Sequence, residues 1–520
     1  MTVASLAPSN TEELMKSTEK LSFSNRDVYI VTASLKPKAG GRTSSLIRRA
    51  KLLTDCSDEK ISICSIAYDP NYIESLRELV KQKKINSQIS IENVYDDLME
   101  DPVPKARVEH KKEDDGYSVV ERDGHRYVHY KQGVKSHIKD FDKKTGRLGH
   151  INHYEQGFEQ VTARTHFDNL GAAHRKDIFS KSTTTLLQQI YLDRSGTPYL
   201  IKNFDTSQTP PTLASIIYLG GKLGTARQLP HFEALCTFWL NSKIKRKTVF
   251  IGDARITDPA ILDIDNTLAA KVFQFHGNYH TQPEKLSSAY IDRLQPLLSN
   301  IEKADAIIAL TDSQAEDFAS HFPTAKEKVR CISHSIEPLP LTYKKDVKSI
   351  CVMARLVKVK RVDHVIRAFA LMNEIMPGYT LNIYGDGADR EKFESLISTL
   401  GLEKFCLLKG HTSEPLKAFQ ESFFTVVSSH SEGFCLSVLE SLANGTPVVS
   451  YDINFGPRDM IIDGTNGFLA NNGSIEALSE SMMKMANTGM DTNPLTVQST
   501  IEKFGNAKFA SKWFAVINSV

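Results

Sequence analysis

The chain has 520 residues, of which 41% are apolar and 24% are charged, and its 64 basic and 62 acidic side chains give a formal net charge of +2. This composition is typical of a folded globular protein of roughly two to four domains and excludes intrinsic disorder of the whole chain. The near balance of charge argues against a dedicated nucleic-acid-binding protein, which usually carries a strong basic excess.

The cysteines and the N-terminus indicate a cytoplasmic protein. The seven cysteines are scattered and odd in number, and no CxxC or Cys/His spacing predicts a zinc site or a disulfide framework. The first 20 residues lack the charged-then-apolar order of a signal peptide. No window approaches the roughly 18 uncharged apolar residues of a membrane span.

A polar leader covers residues 1–25, and strands and helices alternate after it. Residues 27–35 predict a buried strand, residues 43–54 a helix and residues 61–68 a second strand. Apolar strands that alternate with amphipathic helices predict a parallel sheet covered by helices.

Residues 85–218 break this rhythm with short alternating segments, which are separated by turn pairs such as Asp123-Gly124. Such a pattern is typical of antiparallel, half-exposed β-structure. We therefore predict a β-rich antiparallel insertion within an N-terminal α/β domain that spans residues 26–343.

The α/β pattern begins afresh after the charged stretch 344–348. We predict a second α/β domain over residues 344–505, and a C-terminal helix over residues 506–520 that packs back on the N-terminal domain. The predicted fold class is α/β, with two doubly wound, Rossmann-like domains that face a cleft. Ligands of such sheets bind beyond the carboxyl ends of the strands, so the turns after strands should carry the functional residues.

Two of these turns suit a phosphate group. Gly40 and Gly41 follow the first strand, where glycines let the backbone approach a ligand closely. Arg355 and Lys360 follow the first strand of the second domain, where two cations could neutralise a leaving diphosphate. The alternatives are a plain tight turn for the glycines and a solvated basic turn for the cations.

A third turn, in the segment SSHSEGFCLSVLE, is the most informative. A strand ends, a glycine-containing loop carries Glu432, and a helix begins near Leu436 with Glu440 in its first turns. A helix N-terminus presents unpaired amides and partial positive charge. On one continuous helix the two carboxylates would be ~12 Å apart, whereas a retaining hydrolase needs ~5–5.5 Å. Gly433 interrupts the helix, so this separation is not fixed, but an acid/nucleophile pair is not favoured either. One carboxylate at each end of a bound nucleotide sugar is the preferred interpretation.

These residues resemble a known family. Glu432 and Glu440, within SEGFCLSVLESLANGTPVV, resemble the Glu-x7-Glu signature of retaining GT-B glycosyltransferases of family 4. The Arg/Lys pair matches that family's diphosphate-binding pair, and the two glycines match its N-terminal glycine loop. The continuation from SYDI to FGPRD resembles the bacterial poly(glycerol-phosphate) α-glucosyltransferases and their wall teichoic acid relatives, which also carry a β-rich insertion. The resemblance covers almost the whole chain beyond the leader.

The resemblance implies a role for each residue. Glu440 would hold the ribose hydroxyls of UDP, and Glu432 would contact the donor sugar near its reacting face. The β-phosphate would meet the Arg/Lys pair, the glycine loop and the amides of the helix start, and the uracil would lie on the turn after the strand CLLKG. The residues so assigned are Gly40, Gly41, Arg355, Lys360, Gly410, His411, Thr412, Leu436, Ser437 and Val438.

The family's N-terminal-domain histidine falls within the segment FHGNYH. It touches the donor hydroxyls and the acceptor region. We favour His280 for this role, with His276 as the alternative, and the one that is not used is expected to be structural.

The implied activity is a UDP-sugar-dependent retaining hexosyltransferase that needs neither a cofactor nor a metal. It would move a hexose, with glucose favoured, to hydroxyls of a poly(glycerol phosphate) wall teichoic acid chain. One alternative is an N-acetylglucosaminyltransferase that acts on poly(ribitol phosphate) or on serine-rich adhesin protein. A second alternative is a non-catalytic GT-B scaffold subunit, which should have lost the charged site residues.

The implied partners are the anionic polymer and the UDP-sugar, with no nucleic acid. The resemblance also implies peripheral association with the inner face of the cell membrane and a homo-oligomer formed through the β-rich insertion. Two basic runs are either a track for the polymer or a solvated face, and they comprise Lys36, Lys38, Arg42, Arg48, Arg49 and Lys51, and then Lys243, Lys245, Arg246 and Lys247.

Overall fold

The computed structural model describes residues 21–36, 41–101, 106–487 and 493–520. These residues form two compact units, of which the first comprises Arg26–Ala39 and Lys60–Ala270 and the second comprises the rest. Gly40, Lys38 and most of the predicted leader lie outside the described residues. The predicted domain boundaries remain predictions.

The first unit contains fourteen strands and four α-helices among its described residues. The strands are β1 (Asp27–Thr32), β2 (Ile61–Ser65), β3 (Ile89–Asn93), β4 (Ser118–Arg122), β5 (Arg126–Lys131), β6 (Val134–Phe141), β7 (Leu148–His153), β8 (Ala163–Phe167), β9 (Ala173–Phe179), β10 (Leu186–Leu192), β11 (Pro198–Asp205), β12 (Thr212–Tyr218), β13 (Arg227–Leu229) and β14 (Thr248–Gly252). The helices are Tyr72–Lys81, Val94–Leu98, Phe232–Asn241 and Asp258–Leu262.

Four strands of this unit are parallel and lie in the order β14-β1-β2-β3. β1 and β14 are almost continuously buried, as expected of parallel strands covered on both faces. β3 lies inside the predicted insertion, yet it pairs in parallel with β2 from Ile61↔Ile89 to Ser65↔Asn93. Its five residues are too few for their alternation to distinguish a parallel from an antiparallel strand.

The β-rich insertion is a ten-stranded antiparallel sheet in which β4 to β13 follow one another in sequence order. Its ten strands span Ser118 to Leu229. The turn pair Asp123-Gly124 has positive φ at both residues, 55° and 72°, and reverses the chain between β4 and β5. Such a turn matches the twist of the two strands that it joins.

The second unit contains the remaining strands and most of the helices. Its strands are β15 (Ala269–Gln274), β16 (Ala306–Ala309), β17 (Val329–Cys331), β18 (Asp346–Met353), β19 (Thr380–Tyr384), β20 (Cys406–Gly410), β21 (Ser422–Val427), β22 (Val448–Tyr451) and β23 (Gly467–Ala470). Its α-helices are Gly41–Asp55, Gln295–Leu298, Asp312–His321, Val362–Ile375, Arg390–Thr399, Pro415–Gln420, Leu436–Ala443, Pro457–Met460, Ile475–Asn487, Pro494–Ser499 and Asn506–Ser519.

A six-stranded parallel sheet, in the order β20-β19-β18-β21-β22-β23, forms the centre of the second unit. The helices Val362–Ile375 and Ile475–Asn487 pack on each other and on this sheet, around fully buried side chains such as Phe369 and Met482. β18 and β21 are neighbours, so the turns that follow them lie at the same sheet edge.

The C-terminal helix Asn506–Ser519 packs on the helix Gly41–Asp55. The guanidinium of Arg49 lies 4.8 Å from the centre of the buried Trp513 ring. This contact is a cation–π interaction between a basic residue that follows the glycine pair and the C-terminal helix.

All seven cysteines are free thiols, as their scatter predicts. Five of them are buried among apolar side chains, where a thiol behaves as a small hydrophobic group. None of the described helices combines the length and the apolar character needed to cross a bilayer.

Candidate active site

Arg355 and Lys360 lie on the turn that follows β18. Arg355 is exposed, and Lys360 ends a short 3-10 turn, Lys358–Lys360. The next residue, Arg361, takes a left-handed conformation with φ 46°, and the helix Val362–Ile375 begins immediately after it. Both cations therefore lie at the carboxyl end of a parallel strand, as the sequence predicts.

A Gly-Asp-Gly turn after β19 supports this position. A Cβ at Gly385 would lie 1.9 Å from the carbonyl oxygen of Ala354, and a Cβ at Gly387 would lie 2.3 Å from that of Leu356. The amide of Leu356 donates a hydrogen bond to the carbonyl of Asp386 at 3.0 Å. Only glycine fits at both positions, because any side chain would push the Arg355 turn away.

The loop after β21 is hydrogen-bonded to the turn that carries Lys360. The hydroxyl of Ser428 lies within 2.7 and 2.8 Å of the carbonyl oxygens of Lys360 and Arg361. The amide of His430 donates to the carbonyl of Val359 at 2.8 Å. These bonds join two loops that are 67 or more residues apart in sequence.

Glu432 and Lys360 form an ion pair between these two loops, and their side chains are only 14% and 20% exposed. The hydroxyl of Ser429 donates to the same carboxylate oxygen at 2.7 Å. Burial lowers the pKa of Lys360, but the carboxylate of Glu432 outweighs this and raises the pKa overall. The Arg355 charge opposes this rise, so the two cations are close enough to interact.

The helix Leu436–Ala443 begins beside this pair. Cys435, the residue before it, is left-handed with φ 71° and supplies no side-chain cap. The positive charge of Lys360 offsets part of the rise in the pKa of the Cys435 thiol that burial causes, so the two residues are near each other. A Cβ at Gly41 would lie 3.3 Å from Leu436 Cδ1. The amide of Val438 already donates to the carbonyl of Cys435 at 3.1 Å. Gly41, Lys360 and the start of the helix thus lie close together.

Glu440 is half-buried on the same helix. Burial raises its pKa to about 7, and the guanidinium of Arg48 offsets part of that rise. Glu440 and Arg48 line a cavity of about 100 Å³ together with His334 and Ser335. A carboxyl group at such a place can hydrogen-bond a ligand hydroxyl.

The two candidate histidines have different surroundings. A Cβ at Gly433 would lie 2.6 Å from the carbonyl oxygen of His276, so His276 lies against the loop that carries Glu432. His280 is 3% exposed. Its ring nitrogens lie 2.9 Å from the carboxylate of Asp317 and 3.2 Å from the carbonyl of Ser288. Both nitrogens of His280 are therefore engaged within the protein, whereas the backbone of His276 borders the site.

Gly410, His411 and Thr412 follow β20 at the same edge of the sheet. Gly410 has φ 72°, and its carbonyl accepts a hydrogen bond from the amide of Gly385 at 2.8 Å. His411 is exposed, and the hydroxyl of Thr412 accepts from the amide of Glu414 at 2.9 Å. This turn thus adjoins the Gly-Asp-Gly turn that supports Arg355.

The segment FGPRD, at Phe455–Asp459, supports the loop that carries Glu432. A Cβ at Gly456, which has φ 97°, would lie 2.3 Å from the carbonyl oxygen of Phe434. The carboxylate of Asp459 accepts from the amide of Gly456 at 3.0 Å and from the hydroxyl of Ser313 at 2.9 Å. A proline that opens a helix and an acidic residue two positions later are a recognisable helix-start signal, here in the segment GPRD.

The second basic run is partly neutralised. Lys243 lies 2.6 Å from the carboxylate of Glu92 and also pairs with Asp97. Arg246 lies 2.7 Å from the carboxylate of Asp27. Two of its four cations are therefore paired with acidic neighbours, whereas Lys245 and Lys247 are exposed, and the choice between a polymer track and a solvated face stays a prediction.

The site can stabilise negative charge. Lys360, Arg355 and the uncapped helix start supply positive potential within one small region, and the glycines allow close approach of a ligand. Preorganised charge of this kind suits a diphosphate, and it is most effective where charge develops during a reaction.

The part of the chain that carries this site matches a known family model. The model of the family Glycosyl transferases group 1 matches residues 339–494, the stretch that carries Arg355, Lys360, Glu432 and Glu440. This part of the chain is a glycosyltransferase group 1 domain, and the chain has the predicted GT-B fold.

Relatives match nearly the whole chain. The poly(glycerol-phosphate) alpha-glucosyltransferase of Bacillus subtilis (strain 168) is 24% identical over 95% of this chain and 75% of its own length. The poly(ribitol-phosphate) alpha-N-acetylglucosaminyltransferase of Staphylococcus aureus (strain COL) is 24% identical over 95% of this chain and 100% of its own length. The crystal structure of a mutant of S. aureus TarM, with fondaparinux, alpha-GlcNAc-glycerol and UDP, matches with a TM-score of 0.81 at 22% identity over 95% of this chain and 100% of that chain.

We predict that Gly387→Ala destabilises the protein, because the new methyl group would lie 2.3 Å from the carbonyl oxygen of Leu356. Overpacking of this kind costs about 1–3 kcal/mol, which thermal or urea unfolding measures. Gly149→Ala is the matched control, since its Cβ would only make an ordinary 3.5 Å contact. Equal stability of the two variants would contradict the support assigned to Gly387.

Proposed function

We propose that the protein is a retaining glycosyltransferase that moves a hexose from a UDP-sugar to hydroxyls of a polyol-phosphate wall teichoic acid chain. The observation that carries the proposal is the meeting of Lys360, Glu432 and the start of the helix Leu436–Ala443 within a glycosyltransferase group 1 domain. The relatives over 95% of the chain support the teichoic acid acceptor.

The donor would bind by exchange of partners at Lys360. In the free protein its ammonium pairs with Glu432, and the β-phosphate of UDP would take the place of that carboxylate with help from Arg355 and the helix amides. Glu432 would then be free to contact the donor sugar. Glu440 would accept hydrogen bonds from the ribose hydroxyls, and the turn at Gly410 would support the uracil.

The chemical step breaks the bond between the anomeric carbon and the β-phosphate oxygen and forms a bond from the same carbon to the acceptor oxygen. The acceptor attacks from the face that UDP leaves, so the anomeric configuration is retained. The proton of the acceptor hydroxyl passes to the departing phosphate oxygen. The charge that develops on UDP is stabilised by Lys360, Arg355 and the helix start, and this scheme requires no divalent cation.

We assign the histidine near the donor sugar to His276 in preference to His280. The backbone of His276 contacts the loop of Glu432, while His280 is buried with both ring nitrogens engaged. A histidine beside this loop could hydrogen-bond a donor hydroxyl.

The preferred donor and acceptor are UDP-glucose and poly(glycerol phosphate). The continuation from SYDI to FGPRD supports this preference, although the two named relatives have the same 24% identity. N-acetylglucosamine transfer to poly(ribitol phosphate) is the second candidate, since one of those relatives carries that name.

The decisive experiment is a panel of UDP-glucose and UDP-N-acetylglucosamine against poly(glycerol phosphate) and poly(ribitol phosphate), with released UDP and labelled polymer as readouts. We expect the highest kcat/KM for glucose on the glycerol polymer. Highest activity with N-acetylglucosamine on the ribitol polymer would support the second candidate. Absence of transfer in all four combinations would overturn the proposed acceptor class.

We predict that Lys360→Ala and Arg355→Ala each lower kcat by about 100-fold or more, because each removes a charge that stabilises the leaving diphosphate. Lys358→Ala is the matched control, since Lys358 is an exposed lysine of the same 3-10 turn. Single-turnover rates at saturating donor separate this effect from weaker binding. Near-normal rates in both site variants would refute the assignment.

We predict that His276→Ala lowers kcat/KM by about ten-fold, the equivalent of one lost hydrogen bond, with little effect on stability. His280→Ala should instead lower the unfolding temperature, because it leaves the buried carboxylate of Asp317 without one of its partners. A stable His280 variant with greatly reduced turnover would favour His280 as the site histidine.

The raised pKa of Glu440, about 7 because of burial, predicts a pH dependence of UDP binding. Below this pKa the group is neutral, and above it the carboxylate is the better acceptor for ribose hydroxyls. If binding follows the ionised fraction, affinity should rise about ten-fold from pH 6 to pH 8. Calorimetry on Glu440→Gln provides the control. Any pH dependence of UDP affinity that remains in this variant is due to titration of the UDP phosphate. An identical slope in both proteins would refute this role for Glu440.

A further inference from the structure

Three potential metal ligands meet on the antiparallel sheet of the first unit. Asp114, His129 and His137 each offer one ligand atom, and these atoms all lie within 4.8 Å of one another. His129 on β5 lies directly opposite His137 on β6, and their rings stack at 4.2 Å with an angle of 15° between planes. Asp114 reaches the pair from the segment before β4.

His129 presents a lone pair to this cluster. The residue is 0% exposed, and its Nδ1 lies 3.0 Å from the carbonyl oxygen of Tyr127. A carbonyl can only accept, so Nδ1 carries the proton, and in the neutral imidazole Nε2 carries the lone pair. This Nε2 is buried without a hydrogen-bond partner among the described residues. It faces Oδ2 of Asp114 at 3.7 Å, so two electron-rich atoms face each other.

The other two groups, His137 and Asp114, are held beside this nitrogen. His137 Nε2 lies 2.8 Å from the same Oδ2 of Asp114, and its Nδ1 lies 3.3 Å from the hydroxyl of Ser136. Lys139 holds the second carboxylate oxygen of Asp114 at 2.5 Å and leaves Oδ2 to the histidines. Outer partners of this kind, on the far nitrogen of each imidazole and on the carboxylate, are what orient metal ligands in proteins.

We propose that Asp114, His129 and His137 bind one divalent transition-metal ion of the zinc type. Two imidazoles and one carboxylate are a ligand set that zinc uses, with water in the fourth position. Tetrahedral bonds of about 2.0–2.1 Å place ligand atoms about 3.3 Å apart. The observed separations of 2.8 and 3.7 Å from Asp114 Oδ2 bracket that value. Because the two rings are stacked, at least one of them would turn about its Cβ–Cγ bond to bring both nitrogen lone pairs onto the ion.

The ion would cross-link two segments of the chain at one end of the antiparallel sheet. It would tie the segment that contains Asp114 to the hairpin of β5 and β6, next to the edge strand β4. Lys139 already fastens the same segment through the carbonyl of Lys111 at 2.9 Å. The site lies on the insertion and is independent of the proposed transferase chemistry.

The test uses the full chain without an affinity tag, after treatment with a chelator and removal of the chelator. Zinc titration should show one strong site per chain, and cobalt(II) should give the intense visible bands of tetrahedral coordination. His129→Gln and Asp114→Asn should each weaken zinc binding by about 100-fold or more. His153→Gln is the matched control, because His153 lies opposite His137 on the other side and its Nε2 is bonded to Thr165.

A thermal readout complements the titration, because an ion that binds only the folded state raises the unfolding temperature. Zinc should raise this temperature in the unaltered protein and in His153→Gln, but not in His129→Gln. Unaltered protein that binds no zinc, or that shows no tetrahedral cobalt spectrum, overturns the proposal whether or not the variants fold. Equal zinc affinity in the unaltered protein and the ligand variants also overturns it, since the ion would then lie elsewhere.

Discussion

The ion pair between Lys360 and Glu432 is the contact on which the arrangement of the site depends. An ion pair whose two side chains are largely buried stabilises a structure only if further hydrogen bonds satisfy both groups. The hydroxyl of Ser429 supplies one of them at the carboxylate, and Ser428 holds the backbone on which Lys360 sits. The pair thereby fixes two loops at the start of a helix whose own position is set by burial of Val438, Leu439 and Leu442.

Close backbone contacts hold the rest of the site in place. Gly387 lies under the turn of Arg355, Gly433 lies against His276, and Gly456 supports the loop of Phe434. At each of these positions a Cβ would lie less than 3.0 Å from a neighbouring backbone atom. The functional side chains therefore sit on loops whose backbones are packed against each other, and such packing limits their freedom to move.

The sequence predicts most of the second unit well, because its strands are short apolar runs with motifs at their ends. The predicted strand CLLKG is observed at Cys406–Gly410, and the Glu-x7-Glu motif spans a loop and a helix start as expected. The engagement of His280 with Asp317 could not be predicted in this way, since it is a tertiary contact between residues 37 positions apart. The pairing of Lys243 with Glu92 is likewise a tertiary contact that charge runs do not reveal.

The metal-ligand cluster shows a different limit of sequence analysis. Regular hairpin pairing from Lys131↔Val134 would place His129 opposite Ser136. An irregularity between His129 and Tyr130 shifts the register by one residue and brings His137 opposite His129 instead. A one-residue bulge has no clear signature in the sequence, yet it decides which side chains face each other. Motif spacing along the chain therefore cannot find such a site.

The ion pair between Lys360 and Glu432 has a consequence for the release of the proposed nucleotide. If a diphosphate takes the place of Glu432 at Lys360, as proposed, its net binding free energy would be reduced by the strength of the ion pair that it replaces. On release of that nucleotide, the carboxylate of Glu432 would pair with the ammonium again. A built-in competitor of this kind would shorten the residence time of spent UDP and favour rapid turnover.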